Sequence, residues 1–253
     1  MVLDWFRRIR RVSQKLSLPS RESGSGRSQV QLNTSKLTPQ ANIYLSHLSQ
    51  VQRSIADLLQ DDSIAAPSSE IREQQVAIAR SYRAKAQEIE ALIVKSGSTG
   101  MDLQAEIRDR LDILVARTEG HGWEEDLMRV HIVFGILEDS LRRVAKGLTP
   151  AKRIRVEAML LDDSLENFCH EQLAKQISQR PEIAGRLAMF GRMVVADALL
   201  EVRDSVSFEK VLASGLPEDA TERAREQFKA LEPFTSDLIA EHTVRMDRLG
   251  LTA

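Results

Sequence analysis

The sequence predicts an all-α chain, and three observations carry that prediction. Aromatic residues make up only 4% of it, and glycine (12) and proline (7) are scarce. A β-sandwich or barrel needs frequent turns and aromatic or β-branched strands, so that class is disfavoured. Apolar residues instead recur at helical spacing between clear start and stop signals, with no strand alternation. Hydrophobic residues at 42% and charged residues at 28% lie in the ordinary globular range.

The elements follow in order. Residues 3–16 form a basic amphipathic helix, with Leu3, Trp5, Phe6, Ile9, Val12 and Leu16 near one face and Arg7, Arg8, Arg11 and Lys15 largely on the other. Residues 17–37 are rich in Ser, Gly and Arg and read as a flexible linker, because they hold too little apolar surface to offset ordering entropy. The sequence therefore divides into 1–37, an arm, and 38–253, a helical domain. Thr38-Pro39 is a cap followed by proline and opens a helix to about Gln60, with Ile43, Leu45, Leu48, Val51, Ile55 and Leu58 inward. A second helix covers about 69–96 and stops at Gly97. The segment 101–118 is a further amphipathic helix within a crossover, broken by Gly120-His121-Gly122. Next come helices over 123–146, ended by Gly147, and 150–178, opened by Thr149-Pro150. Pro181 opens a helix to about 205, and a short one follows at 207–214. The last, about 218–249, contains Pro233, which should kink or divide it. The patterns at 38–60, 69–96, 123–146 and 150–178 suit a four-helix bundle, and the long 96–123 connection suits a crossover between two hairpins. Gly135 and Gly191 sit inside helices at a cost of about 1 kcal/mol each, which close backbone approach between helices would offset.

Charge narrows the function. The net charge is −2, yet residues 1–30 carry +5, leaving −7 on the remainder. The body lacks the positive surplus that nucleic-acid binding needs. The basic arm has three readings: an anionic membrane surface with Trp5 and Phe6 inserted, a partner's groove, or a segment that folds back or stays unattached. A single cysteine, Cys169, excludes an intramolecular disulfide and a cysteine-based zinc site, and reads as a buried, inert side chain. Apolar runs such as Ile132–Phe134 fall far short of the ~20 residues that span a bilayer. No signal-peptide core follows the basic start, so a cytoplasmic location is expected, peripheral at the inner membrane face if the arm binds lipid.

Short patterns then point to a family. They are Gly185-Arg186-Leu187, Phe190-Gly191-Arg192, Ala198-Leu199, and the ending His242-Thr-Val-Arg245-Met246-Asp-Arg-Leu249-Gly250-Leu251. Upstream, Trp123, Glu125, Gly135-Ile136 and Asp139 fit a third bundle helix, and Asp163-Ser164 a fourth. Together they resemble the ferritin-like proteins of actinobacteria, a group related to the diiron tRNA hydroxylases that modify isopentenyladenosine. The resemblance is good over about 120–253, thin over 38–100 and absent from 1–37. It implies a ferritin-like four-helix bundle with additional C-terminal helices. It also implies a di-iron oxygenase or tRNA hydroxylase as one reading of function.

The sequence does not supply the ligands for that reading. A carboxylate-bridged di-iron centre needs a Glu from each of two helices and a Glu-x-x-His pair from each of the other two. Three positions before His47, His121, His131, His170 and His242 stand Tyr44, Thr118, Met128, Asn167 and Ile239. Residues 40–56 contain no Asp or Glu. Aligned to the family, the second-helix Glu and His positions fall on Tyr82 and Lys85, and the fourth-helix pair on Asp163 and Glu166. Glu125, Glu157, Asp163, Glu166 and His170 are the remaining candidates for a single ion. The competing reading, a solvated face or an inward Asp163 paired with Lys85, is the expectation. A basic cluster of Arg142, Arg143, Lys146, Lys152, Arg153 and Arg155 is the best tRNA surface if the hydroxylase reading holds. Otherwise it caps and solvates a helix end. The sequence thus predicts a binding or scaffolding bundle with no bound cofactor. Homodimerisation through bundle faces is expected from the habit of the fold alone.

Overall fold

A computed structural model describes residues 33–95, 101–208, 211 and 219–253. The arm's contact residues Trp5, Phe6, Arg7, Arg8 and Arg11, the stop at Gly97 and most of the 207–214 helix lie outside the described residues. Among the described residues there is no strand. None of their helices is long and apolar enough to cross a membrane.

The first long helix, α1 (Ala41–Asp62), is joined through a 3-10 turn to α2 (Ser69–Lys95). It is followed by α3 (Met101–Arg117) and α4 (Trp123–Arg129). A π-helical segment, Val130–Phe134, runs from α4 into α5 (Gly135–Val144). Then come α6 (Pro150–Leu160), α7 (Ser164–Gln179), α8 (Ala184–Ser205) and α9 (Ala220–Arg248). α1, α2, α7 and the α4–α5 rod close a ring of contacts, the ferritin-like bundle. α3 packs on α1 and α8, and α8 also packs on the α4–α5 rod and α9.

This arrangement encloses α1. Leu45, Leu48, Val51, Ile55 and Leu59 are fully buried, each contributing roughly 1.5–3 kcal/mol through burial. Ile43 is only half-buried. The opposite face is buried too, because α3 and α8 cover it. There His47 Nε2 lies 2.9 Å from Glu201 Oε1, and Arg110 Nη2 donates to the same oxygen at 2.8 Å. Tyr44 on α1 donates to the Leu141 carbonyl of α5 at 2.9 Å.

Four differences from the expected elements have physical causes. First, Thr38 does not cap a helix. Its hydroxyl donates to the Val144 carbonyl, and the helix begins at Ala41. Residues Thr34–Leu37 already form a 3-10 turn with Leu37 buried, so packing starts before Thr38. Second, the 123–146 helix contains the π segment. A π turn inserts one extra residue, which turns everything after it by about 100° relative to a continuous α-helix. Third, the expected 150–178 helix is two helices, α6 and α7. The break falls at Leu161–Asp163, where Asp162 Oδ1 accepts from the Ser164 N–H at 3.0 Å. Only α7 lies in the bundle; α6 packs against the end of α5. Fourth, Pro233 does not divide α9. Leu231, Phe234 and Leu238 are buried on either side of it, and their packing holds the helix through the missing hydrogen bond.

The two internal glycines do permit close approach, and both face α9. A Cβ at Gly135 would stand 3.1 Å from Arg245 Cζ. One at Gly191 would stand 3.0 Å from Met246 Sδ. α9 ends at Gly250, whose φ of 69° is left-handed, and Leu251 N–H closes back on the Met246 carbonyl at 3.0 Å.

Candidate functional site

The polar interior is built from residues on three ring members. Gln52 of α1 donates to Glu138 Oε1 of α5 at 2.9 Å, and the Tyr82 hydroxyl of α2 reaches Glu138 Oε2 at 3.5 Å. Desolvation raises the Glu138 carboxyl above its ordinary range, against the pull of Gln52 and Lys85. Burial likewise raises the Tyr82 hydroxyl, with Glu138 adding to the effect. Cys169 of α7 is fully buried, and its thiol is pushed up by burial and then by Glu138 and Glu166. A thiolate nucleophile is therefore disfavoured there.

Lys85 lies beside this group. Its ammonium stands 4.1 Å over the Tyr82 ring and 2.8 Å from Asp162 Oδ2. The partner is Asp162, not the expected Asp163. The break between α6 and α7 changes the phase of the chain, so Asp162 faces α2 while Asp163 occupies the position before α7. Burial works against ionisation of Asp162, but Lys85 and Ser164 hold its carboxyl below the ordinary range.

These residues do not fit a di-iron centre. The central set offers two carboxylates, Glu138 and Asp162, with a phenol, an amide, a buried thiol and an ammonium. A carboxylate-bridged pair of irons needs four carboxylates and two imidazoles. An ammonium at this place repels a cation. Among the described residues, no group of three or more His, Cys, Asp or Glu side chains is arranged to hold a metal ion.

The single-ion candidates are dispersed onto other partners. Glu125 is buried, accepts from the His121 N–H at 2.8 Å and pairs with Arg186 at 2.5 Å. Glu157 lies 3.8 Å from Arg153. Glu166 Oε1 accepts from Arg248 Nη1 at 2.8 Å, and His170 Nε2 lies 3.2 Å from the Arg248 carbonyl. Glu166 and His170 thus share one neighbour, and that neighbour is an arginine. In the basic cluster, Arg142 pairs with Asp139, and Arg143 with Asp237 and Glu241.

The signature residues of the chain's last third are brought together along α9. Arg245 pairs with Asp139 through Oδ2, while Arg142 takes Oδ1. Met246 packs on Gly191, and Arg192 donates to the Thr252 carbonyl at 2.6 Å. His242 is buried, and burial followed by Arg245 lowers its pKa to about 4.

Beside this ion pair lies a small pocket of about 30 Å³. His131, Glu138, Asp139, Asp162, Asp163 and Glu166 line it with Arg142, Cys169 and Arg245, and Leu160 and Leu165 frame it on either side of the α6–α7 break. Two of these residues carry a buried nitrogen, His131 Nε2 and Arg245 Nη1, with no hydrogen-bond partner among the described residues. Burial, then Arg245, lowers the His131 pKa to about 3, so the ring is neutral. Sequence reasoning missed Gln52, His131, Glu138 and Asp162. A local signal existed for two pocket residues: Glu138 and Arg142 stand at i, i+4 spacing beside Gly135, whereas His131 lies in the π segment and left none.

A family model described as a ferritin-like domain of actinomycetes matches residues 43–217. No curated protein matches the chain.

Proposed function

The chain belongs to the ferritin-like domain family of actinomycetes, and from that premise we propose that it is a non-catalytic binding or scaffolding bundle with degenerate di-iron positions. One observation carries this reading. Where the fold would seat its metals, Glu138 is held by Gln52 and Tyr82, and Lys85 by Asp162, so side chains of the protein meet one another at those positions. The test is metal analysis of protein purified from its own host, with an absorption scan for oxo-bridged iron. The expected result is iron well below one equivalent and no such band. Near-stoichiometric iron would overturn the reading in favour of a di-iron oxygenase or tRNA hydroxylase.

Residues 1–16 supply the contact surface in this reading, to a protein partner or an anionic membrane. Five basic side chains beside Trp5 and Phe6 support an association that weakens as salt rises. If the membrane is the target, full-length protein floats with anionic liposomes at low salt and a 1–30 deletion does not. Equal flotation of the two proteins removes the membrane and leaves the protein partner.

A further inference from the structure

We propose that the outward face of α6 lies on an anionic membrane surface, with Ile154 and Leu161 in the headgroup layer and Lys146, Lys152 and Arg155 against the lipid phosphates. The inference rests on the membrane form of the reading above and adds the face of the body that meets the lipid.

Helix phase is the first ground. At about 100° per residue, Val156 and Leu160 share one side of α6, and Ala151, Ile154, Ala158 and the adjoining Leu161 share the opposite side. Val156 and Leu160 are buried. The other four are exposed, Ile154 by 65% and Leu161 by 63%. A helix apolar on two opposite sides has two surfaces to cover, and the described residues cover one.

Charge is the second ground. Residues 146–163 carry seven charged side chains. Among them Arg153 pairs with Glu157, and Asp162 with Lys85. Lys146, Lys152 and Arg155 have no ion-pair partner among the described residues, against one such acid, Asp163. The surplus cations lie at and before the first turns of α6, and Asp163 stands past its far end. An apolar stripe flanked by unpaired cations suits acidic headgroups. Met189 and Met193 of α8 are as exposed, but their basic neighbours Arg186 and Arg192 are engaged by Glu125 and Thr252.

The place where the chain enters the body is the third. Thr34 donates to the Arg143 carbonyl at 3.0 Å, and a Cβ at Gly147 would stand 2.5 Å from the Ser35 carbonyl oxygen. Gly147 is three residues before Pro150, so the entry lies within roughly 15 Å of the start of α6. Leu16 and Asn33 are 17 residues apart in sequence, a stretch that can span at most about 60 Å. The basic segment with Trp5 and Phe6 can therefore reach the same surface as α6, and two tethered contacts bind more tightly than either alone.

Titration of the full chain with vesicles of phosphatidylcholine, with or without phosphatidylserine, tests this. An environment-sensitive fluorophore is attached at Ile154→Cys, and in a second protein at Ile64→Cys; the native Cys169 is fully buried and stays unlabelled. Ile64 is 79% exposed and follows the last turn of α1, about 30 Å from the first turn, where Tyr44 meets α5. At low salt the label at position 154 should shift to the blue, saturably, on anionic vesicles and not on neutral ones. The label at position 64 should shift on neither. Ile154→Ser with Leu161→Ser should weaken binding to anionic vesicles at least about fivefold while keeping the helical circular-dichroism spectrum. A full chain that floats with anionic vesicles while the label at 154 stays unshifted is held by the arm alone: the arm's reading stands and this proposal falls. A full chain that does not float removes both. An equal shift at position 64 means unspecific adsorption, and a shift at 154 that follows protein concentration without lipid assigns the face to a second copy; either overturns the proposal.

Discussion

Replacing Asp139 with alanine will destabilise the chain by about 3–5 kcal/mol, the usual cost of removing one partner from a buried ion pair. Asp139 is 1% exposed and holds Arg245, itself 7% exposed, across the α5–α9 contact. Without the carboxylate, Arg245 stays desolvated and unpaired, because Gly135 has let α9 come too close for the guanidinium to escape easily. Arg142, with 41% of its side chain exposed, turns to water at little cost. The loss thus comes from one arginine. Pairing Asp139→Leu with Arg245→Met removes both charges and should recover most of the stability. Urea unfolding of the single and double variants measures both quantities. A single-variant loss below about 1 kcal/mol would show that the pair does not pin α9.

How much of this was legible in the sequence depends on whether a feature leaves a local signal. Proline and glycine marked helix starts and ends well, because each acts through its own backbone. Gly135 and Gly191 pointed to close packing, though not to Arg245 and Met246 as the side chains that need the room. The π segment left no sign, since Val130–Phe134 is buried all round and any helical phase would satisfy it. The α6–α7 break carries neither glycine nor proline. Its signal was Asp162-Asp163-Ser164, a side-chain turn that competes with the helix through Asp162. That misreading also moved the expected partner of Lys85 by one residue. Glu138 escaped notice because the search followed Glu-x-x-His spacing, whereas its role comes from Gln52 and Tyr82 on other helices. The polar interior is a tertiary feature, and tertiary partners are not written in local spacing.

The pH dependence of stability will carry the signature of His131. The ring sits in the folded chain with a pKa of about 3, below its ordinary 6.5. Burial disfavours the imidazolium, and Arg245 repels it further. The unfolded chain therefore takes up a proton below about pH 6.5 that the folded chain refuses. The stabilisation is present in full above that pH and is lost as pH falls toward 3. By this linkage His131 alone removes about 2–3 kcal/mol between pH 7 and pH 4.5. His242, lowered to about 4, acts in the same direction. Asp62 acts oppositely: burial raises its pKa to about 6, so the folded chain binds its proton first and gains stability as pH falls. The total profile mixes these effects, but Asp62 and His242 are common to wild type and His131→Gln. The stability difference between those two proteins, measured by urea unfolding at pH 7 and pH 4.5, isolates the imidazole. It should shift by about 2–3 kcal/mol in favour of the variant on acidification, and a difference that stays constant with pH would mean that His131 is not buried as a neutral ring.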